Sequence, residues 1–346
     1  MTFRYIGSKA RVVDLLAPQI GRPASNGRFV DLFCGTGAVA EIAARLGWDV
    51  HLNDSLHSAV TMAAGRLVTD SQARFSKLGG YRAAIEALNT VSPQPGFIHR
   101  EYSPAALSHA GIERRYFTES NAAQIDAVRT QVANWVAEGT INATEELLLL
   151  ADLLSATNRV ANIAGTYGCF LAKWQKQAFE PIALQPRKLF AGAGLVTTSV
   201  GDAKKCPASV DDLVYIDPPY TKRQYASYYH ILETITLGDE PTVEGVAGLR
   251  PWREKASDFC YRTRALGAFT ELVERLDAQR LLISYSDEAH VDIEALSDAL
   301  RAFGAVVPIR LMEIGRYRPN KTASAAAASV SEYLIQLDRK VMKAAA

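Results

Sequence analysis

Apolar positions along this chain follow two rhythms. Compact apolar runs occur at 28–33 (RFVDLF), 48–54 (WDVHLND), 195–200 (LVTTSV), 213–217 (LVYID), 280–286 (RLLISYS), 305–311 (AVVPIRL) and 332–337 (EYLIQL). Short runs of this kind, bounded by turn residues, predict buried strands. Helical periodicity separates most of them, beginning with AVAEIAARLG directly after the turn CGTG. RFVDLF, that helix and WDVHLND together make a βαβ unit of ordinary length. From 58 to 190 the helical rhythm dominates, most clearly in 122–139 and 144–164. The predicted fold class is therefore α/β, with a mostly parallel Rossmann-like sheet and helices on both faces. Residues 1–57 and 191–346 would form that domain, and 58–190 a mainly helical insertion. No internal repeat is visible, and the one low-complexity stretch, SAAAAS at 324–329, predicts a mobile loop.

Composition changes this picture little. The chain has 346 residues, 48% hydrophobic and 22% charged, with a net charge of +1. That balance suits a globular protein and argues against one that coats nucleic acid by bulk charge, while leaving room for a local basic patch. MTFRYIGSK has no apolar core of a secretion signal, and the longest apolar run, Leu147–Leu154, is too short to span a bilayer, so a cytoplasmic location is expected. Cys34, Cys169, Cys206 and Cys260 include no C-x-x-C pair and the six histidines form no ligand-like cluster, so no metal is expected.

Three motifs carry candidate chemistry. Asp31 to Gly37 (DLFCGTG) places glycines at a strand-to-helix turn, where a ligand can approach the backbone and face a helix N-terminus. Ala40 stands where the third glycine of a dinucleotide fingerprint falls, which that fingerprint tolerates. Asn53-Asp54 ends the next strand about 20 residues on, where a carboxylate can accept both hydroxyl hydrogens of a ribose; a helix N-cap is the structural alternative. Asp217-Pro218-Pro219-Tyr220 follows the apolar strand LVYI directly. Its consecutive prolines fix a rigid loop at the strand's C-terminal end, the edge at which open α/β sheets bind ligands. There an Asp carboxylate and the Pro218 carbonyl can each accept a hydrogen from an exocyclic amine, and Tyr220 offers an aromatic face.

With these motifs the chain resembles the Dam-like adenine-specific DNA methyltransferases, in the branch that includes the FokI modification enzyme. The resemblance covers nearly the whole chain. Tyr5-Ile-Gly-Ser-Lys9 is similar to that family's N-terminal cofactor motif, and the order of N-terminal motif, glycine turn, acid, insertion and DPPY agrees. So do 114–126, 165–174, 223–235, 257–265 and 284–288. The resemblance implies a class I methyltransferase sheet and methyl transfer from S-adenosyl-L-methionine to N6 of an adenine flipped out of double-stranded DNA. Asp217, Pro218, Pro219 and Tyr220 would be its catalytic residues. Tyr5 would pack near the cofactor, Lys9 would pair with its carboxylate, and Asp31, Phe33, Gly35 and Gly37 would line its methionine half. Asp54 would hold the ribose and Asp202 the cofactor's adenine amine. The insertion would hold much of the target-recognition region, and a restriction enzyme or other defence protein would be the partner.

For DNA contact the candidates are Lys173 and Trp174, Lys222 and Arg223, the cluster Arg250/Arg253/Lys255, and Arg316 and Arg318 with Lys321. Loops mixing cations with aromatics suit phosphate contact and base stacking; solvated surface charge is the alternative for each. Tyr225, Tyr228 and Tyr229 either pack a base pocket or form the buried face of a helix, and helical spacing with Ile231 and Leu232 favours burial for Tyr229. Other reactions remain open. Similar loops serve cytosine-N4 methylation, where the first residue is often Ser, and RNA or protein-glutamine methylation, where it is more often Asn. A non-catalytic DNA-binding protein on the same scaffold is the reading from another class.

Overall fold

The computed structural model describes residues 9, 12–24, 26–315 and 329–339. Seven strands form one sheet: β1 (Phe29–Asp31), β2 (Val50–Asp54), β3 (Val196–Val200), β4 (Leu213–Ile216), β5 (Arg280–Ser286), β6 (Gly304–Gly315) and β7 (Ser329–Arg339). Their order is β3-β2-β1-β4-β5-β7-β6. β1 to β5 run parallel, and β7 lies antiparallel between β5 and β6. β1, β2 and β4 are buried throughout, which is why their sequences read as nearly unbroken apolar runs. Strand order reverses between β1 and β4, so the carboxyl ends of these two strands flank a topological switch point.

The helices are α1 (Val13–Ile20), α2 (Ala38–Arg45), α3 (His57–Gly65), α4 (Tyr81–Asn89), α5 (Phe97–Tyr102), α6 (Leu107–Ala110), α7 (Glu119–Ala137), α8 (Ala143–Val160), α9 (Tyr225–Tyr228), α10 (His230–Leu237), α11 (Ala265–Arg275) and α12 (Ile293–Leu300). The chain divides into two compact units. The sheet unit comprises Lys9–Ser55, Ala193–Gln224 and Ala256–Ala346. On one face of its sheet Val30, Val214, Ile216, Leu281 and Ile283 pack with Phe269, Leu272 and Val273 of α11 and with Leu296 and Leu300 of α12. On the other, Phe29 stacks with Tyr215 at 6.1 Å and meets the edge of Trp48. The Trp48 indole N–H donates to Gly21 O at 2.8 Å and so ties down the end of α1.

The helical unit holds Leu56–Gly192 together with Tyr225–Lys255. Reading everything after 190 into the sheet unit therefore misplaces α9 and α10. Tyr229, Ile231, Leu232 and Ile235 are core residues of the helical unit, packed among Tyr102, Tyr116, Leu149 and Leu153. Its two long helices start at built caps. Thr118 accepts from the Asn121 N–H, and Asn142 with Glu145 forms a capping box.

Candidate active site

The glycine turn is held open by its own geometry. Gly35 and Gly37 have φ of 49° and 75°, a region that an L side chain enters only with strain. Gly37 also begins α2. Asn53 fastens the turn from the neighbouring strand: its side-chain amide donates to Leu32 O at 3.0 Å, and its backbone carbonyl accepts from the Cys34 N–H at 2.9 Å. Asp54 accepts from the Gly35 N–H at 3.1 Å, so the acid at the end of β2 reaches the glycine loop itself.

Asp31 ends β1 beside Tyr215 of β4. It is buried, and its Oδ1 has no hydrogen-bond partner among the described residues. Burial, followed by the charge of nearby Asp217, pushes its carboxyl well above the usual range, against the pull of the Phe33 N–H. A buried acceptor without a donor costs on the order of 1–3 kcal/mol. The position therefore favours a ligand that brings a donor, and a cationic one best. Phe33 stands edge-on to Phe259 at 5.5 Å.

Asp217 emerges at the end of β4 with its side chain 13% exposed. The Lys9 ammonium lies 3.1 Å from it and 3.3 Å from Glu332 of β7, and donates to the Tyr220 hydroxyl at 3.4 Å. The described partners of Lys9 are thus protein groups. Burial works against the Lys9 charge, yet Asp217, the two tyrosines Tyr220 and Tyr215, and Glu332 hold it well above the usual lysine range. Burial pushes Asp217 up to about 6, and Lys9 opposes that rise. Tyr220, whose ring lies 5.2 Å from the ammonium, packs edge-on against Tyr285 at 5.6 Å.

The loop itself is braced from behind. The Cys260 thiol donates to Pro219 O at 3.6 Å and to Arg223 O at 3.3 Å. The His290 backbone N–H donates to Tyr220 O at 3.1 Å, and Gln224 bonds both backbone groups of Ser257 at 2.8 and 3.1 Å. Cys260 and Glu332 escape a sequence reading. Glu332 opens the run EYLIQL, but only the register that pairs it with Ser286 shows that it reaches Lys9.

Other candidates are scattered. Asp202 is exposed and accepts the Lys204 N–H on Oδ1 at 3.0 Å, as a turn cap. Lys222 and Arg223 are exposed in the sheet unit, and Lys173 is exposed in the helical unit beside half-buried Trp174. Arg250 is bound by both oxygens of Asp239 at 3.1 and 2.9 Å, and Lys255 by buried Glu233 at 2.9 Å. Two of the three cations in that cluster therefore serve as internal counter-charges. Tyr229 is fully buried, as its spacing predicts. Tyr5, Arg316, Arg318, Lys321 and residues 324–328 lie outside the described residues. Among the described residues no group of three His, Cys, Asp or Glu side chains is arranged to hold a metal, and no helix is long and apolar enough to cross a membrane.

A Rossmann-like sheet with a glycine turn, a carboxylate at each of the first two strand ends and an Asp-Pro-Pro-Tyr loop at the switch point places its candidate residues at the edge where open α/β sheets bind ligands. The chain belongs to the D12 class N6 adenine-specific DNA methyltransferases, whose family model matches residues 5–298. It is 32% identical to the type II methyltransferase M.FokI of Planomicrobium okeanokoites over 98% of this chain and 53% of that protein. It is 29% identical to the modification methylase StsI of Streptococcus sanguinis over 97% of this chain and 52% of that protein. With the type II methyltransferase M.NlaIII of Neisseria lactamica it shares 30% identity over 97% of this chain and 99% of that protein. The chain thus spans about half the length of the first two relatives and nearly all of the third.

Proposed function

We propose that this protein transfers a methyl group from S-adenosyl-L-methionine to N6 of an adenine in double-stranded DNA, in the cytoplasm, as the modification partner of a restriction enzyme. The observation that carries the reading is the Asp217-Pro-Pro-Tyr220 loop at the end of β4, one strand away from a buried Asp31 oxygen that has no donor among the described residues. The family match and the modification methylases among the relatives support it.

When bound, S-adenosyl-L-methionine supplies a methyl group on a sulfonium. Asp31 Oδ1 would take the α-ammonium, Gly35 and Gly37 would admit the methionine half close to the backbone, and Phe33 would line it. Tyr5 would lie near the same part, Asp54 would hold the ribose, and Asp202 would hold the adenine amine. With Lys9 engaged by Asp217 and Glu332, its part here is to fix Asp217 rather than to meet the cofactor's carboxylate.

The adenine amine is a weak nucleophile because its lone pair is delocalised into the ring. A base taken out of its stack would lie against Tyr220. Asp217 would accept one amine hydrogen and the Pro218 carbonyl the other, drawing the nitrogen toward tetrahedral geometry. The Pro219 carbonyl already takes the Cys260 thiol, which orients the loop. An ionised Asp217 stabilises positive charge growing on nitrogen. That charge makes the proton easy to lose to solvent water, so no strong base is required. Lys173, Trp174, Lys222, Arg223, Arg316 and Arg318 are the proposed DNA contacts, and the helical unit the target-recognition region.

Expression in a methylation-free bacterial host, followed by sequencing that reports modified bases, tests the reading. Methyl-adenine at one short motif is expected, and it should vanish in Asp217→Ala. Unmodified DNA from a host making folded, cofactor-binding protein would overturn it.

A further inference from the structure

In the helical unit, the segment from Leu171 to Ile182 has little regular structure beyond a short turn, Lys176–Phe179, yet two asparagines pin it. Fully buried Asn162 donates to Leu171 O and to Arg115 O, both at 3.0 Å, and accepts from the Gln175 N–H at 2.9 Å. Buried Asn121 donates to Ala178 O at 3.1 Å and Glu180 O at 2.9 Å, and accepts from the Ile182 N–H at 2.9 Å. Each asparagine thus satisfies three backbone groups, and the segment is held much as a sheet edge would hold it.

This fixed segment displays Phe179 at 62% exposure, as much as any large apolar side chain among the described residues. Its ring leans on Trp174 with centroids 5.6 Å apart and planes at 47°. Lys173 precedes Trp174 and Lys176 lies between the two aromatics in sequence; both are exposed and form no ion pair among the described residues. Arg115 donates to Ala172 O at 2.7 Å and neutralises Glu113; Glu180, also exposed, forms no ion pair among the described residues. An exposed Phe179 backed by half-buried Trp174, on a pinned segment that also carries Lys173 and Lys176, combines an apolar aromatic face with positive charge.

Resting on the proposed DNA substrate, we infer that Phe179 and Trp174 form a stacking platform for a DNA base, with Lys173 and Lys176 engaging the adjoining phosphates. A pinned backbone loses little freedom on contact, so the stacking energy appears in affinity. A base of the duplex must leave its stack to reach the platform, and aromatic–base stacking then accepts every base. The platform therefore grips DNA without reading sequence, and its removal should weaken all duplexes alike.

The test is fluorescence anisotropy of the full chain with a labelled duplex of about 30 base pairs, titrated at several salt concentrations. Phe179→Ala should weaken binding about tenfold while leaving the slope of log affinity against log salt unchanged, and Phe179→Tyr should restore it. The double variant Lys173→Ala/Lys176→Ala should instead flatten that slope by about 2, one for each lost phosphate contact. Binding by Phe179→Ala within twofold of the parent, or an unchanged slope in the lysine variant, would overturn the platform while leaving the proposed reaction standing. A parent chain that does not bind duplex DNA would overturn both. Cofactor affinity measured on each variant separates loss of the platform from loss of the fold.

Discussion

The pH dependence of methyl transfer is set by where Asp217 sits. Burial raises its carboxyl to about 6, and its proposed work requires the ionised form. As pH rises through that value the acid becomes charged, so kcat/KM should rise about tenfold per pH unit below 6 and level off above it. Asp217→Asn keeps the shape and removes the charge. A charge-assisted hydrogen bond contributes about 1.5–3 kcal/mol. At 1.36 kcal/mol per decade the variant should turn over roughly 10 to 150 times more slowly at pH 7.5, and the acid limb near pH 6 should disappear. Asp217→Ala, which also loses the shape, should cost at least about 100-fold, roughly 3 kcal/mol. Lys9 keeps Glu332 as a partner in both variants, so its buried ammonium is not stranded. Tritiated-methyl incorporation into duplex DNA across pH 5–9, with cofactor affinity by calorimetry as the folding control, measures both effects. Near-normal turnover in Asp217→Ala, or an acid limb that survives in Asp217→Asn, would refute the assignment.

Glu332→Gln removes a negative charge that helps to raise Asp217, so the acid limb of kcat/KM should move to lower pH while cofactor affinity stays unchanged. Asp31→Asn should weaken cofactor binding by about 10- to 100-fold by calorimetry, the loss of one charge-assisted bond. The same change should not lower the melting temperature of the cofactor-free chain, because a carboxyl raised by burial destabilises the fold as it ionises with rising pH. Burial works against ionised Glu233, yet the Ser58 N–H, Lys255 and His57 hold it down to about 2 against an ordinary 4.5. With its side chain 1% exposed, that gap corresponds to about 3 kcal/mol of stability, present above about pH 4.5 and lost as pH falls toward 2. Glu233→Gln should accordingly lose about 3 kcal/mol in urea denaturation at pH 7 and almost nothing near pH 2.

The sequence by itself determined where the strands lie, that the glycine turn follows β1, that an acid ends β2 and that the rigid proline loop leaves β4. Each of these depends on neighbours within a few residues: apolar runs for a sheet buried on both faces, glycines for a positive φ, prolines for a halted strand. The buried side of α10 was legible for the same reason, since helical spacing places Tyr229 with Ile231 and Leu232. Only the tertiary structure decided matters of pairing across long separations. β7 slots antiparallel between β5 and β6, and that register brings Glu332 to Lys9, 323 positions away. Arg250 and Lys255 read as surface cations, but Asp239 pairs with the first, and Glu233 claims the second because a carboxylate leaving water requires a counter-charge wherever the fold supplies one. The segment 225–255 joins the helical unit because its apolar face fits that core, and Phe179 stays exposed because two distant asparagines hold its backbone out. Periodicity records which side of an element is apolar; which partner covers that side is settled only when the chain closes on itself.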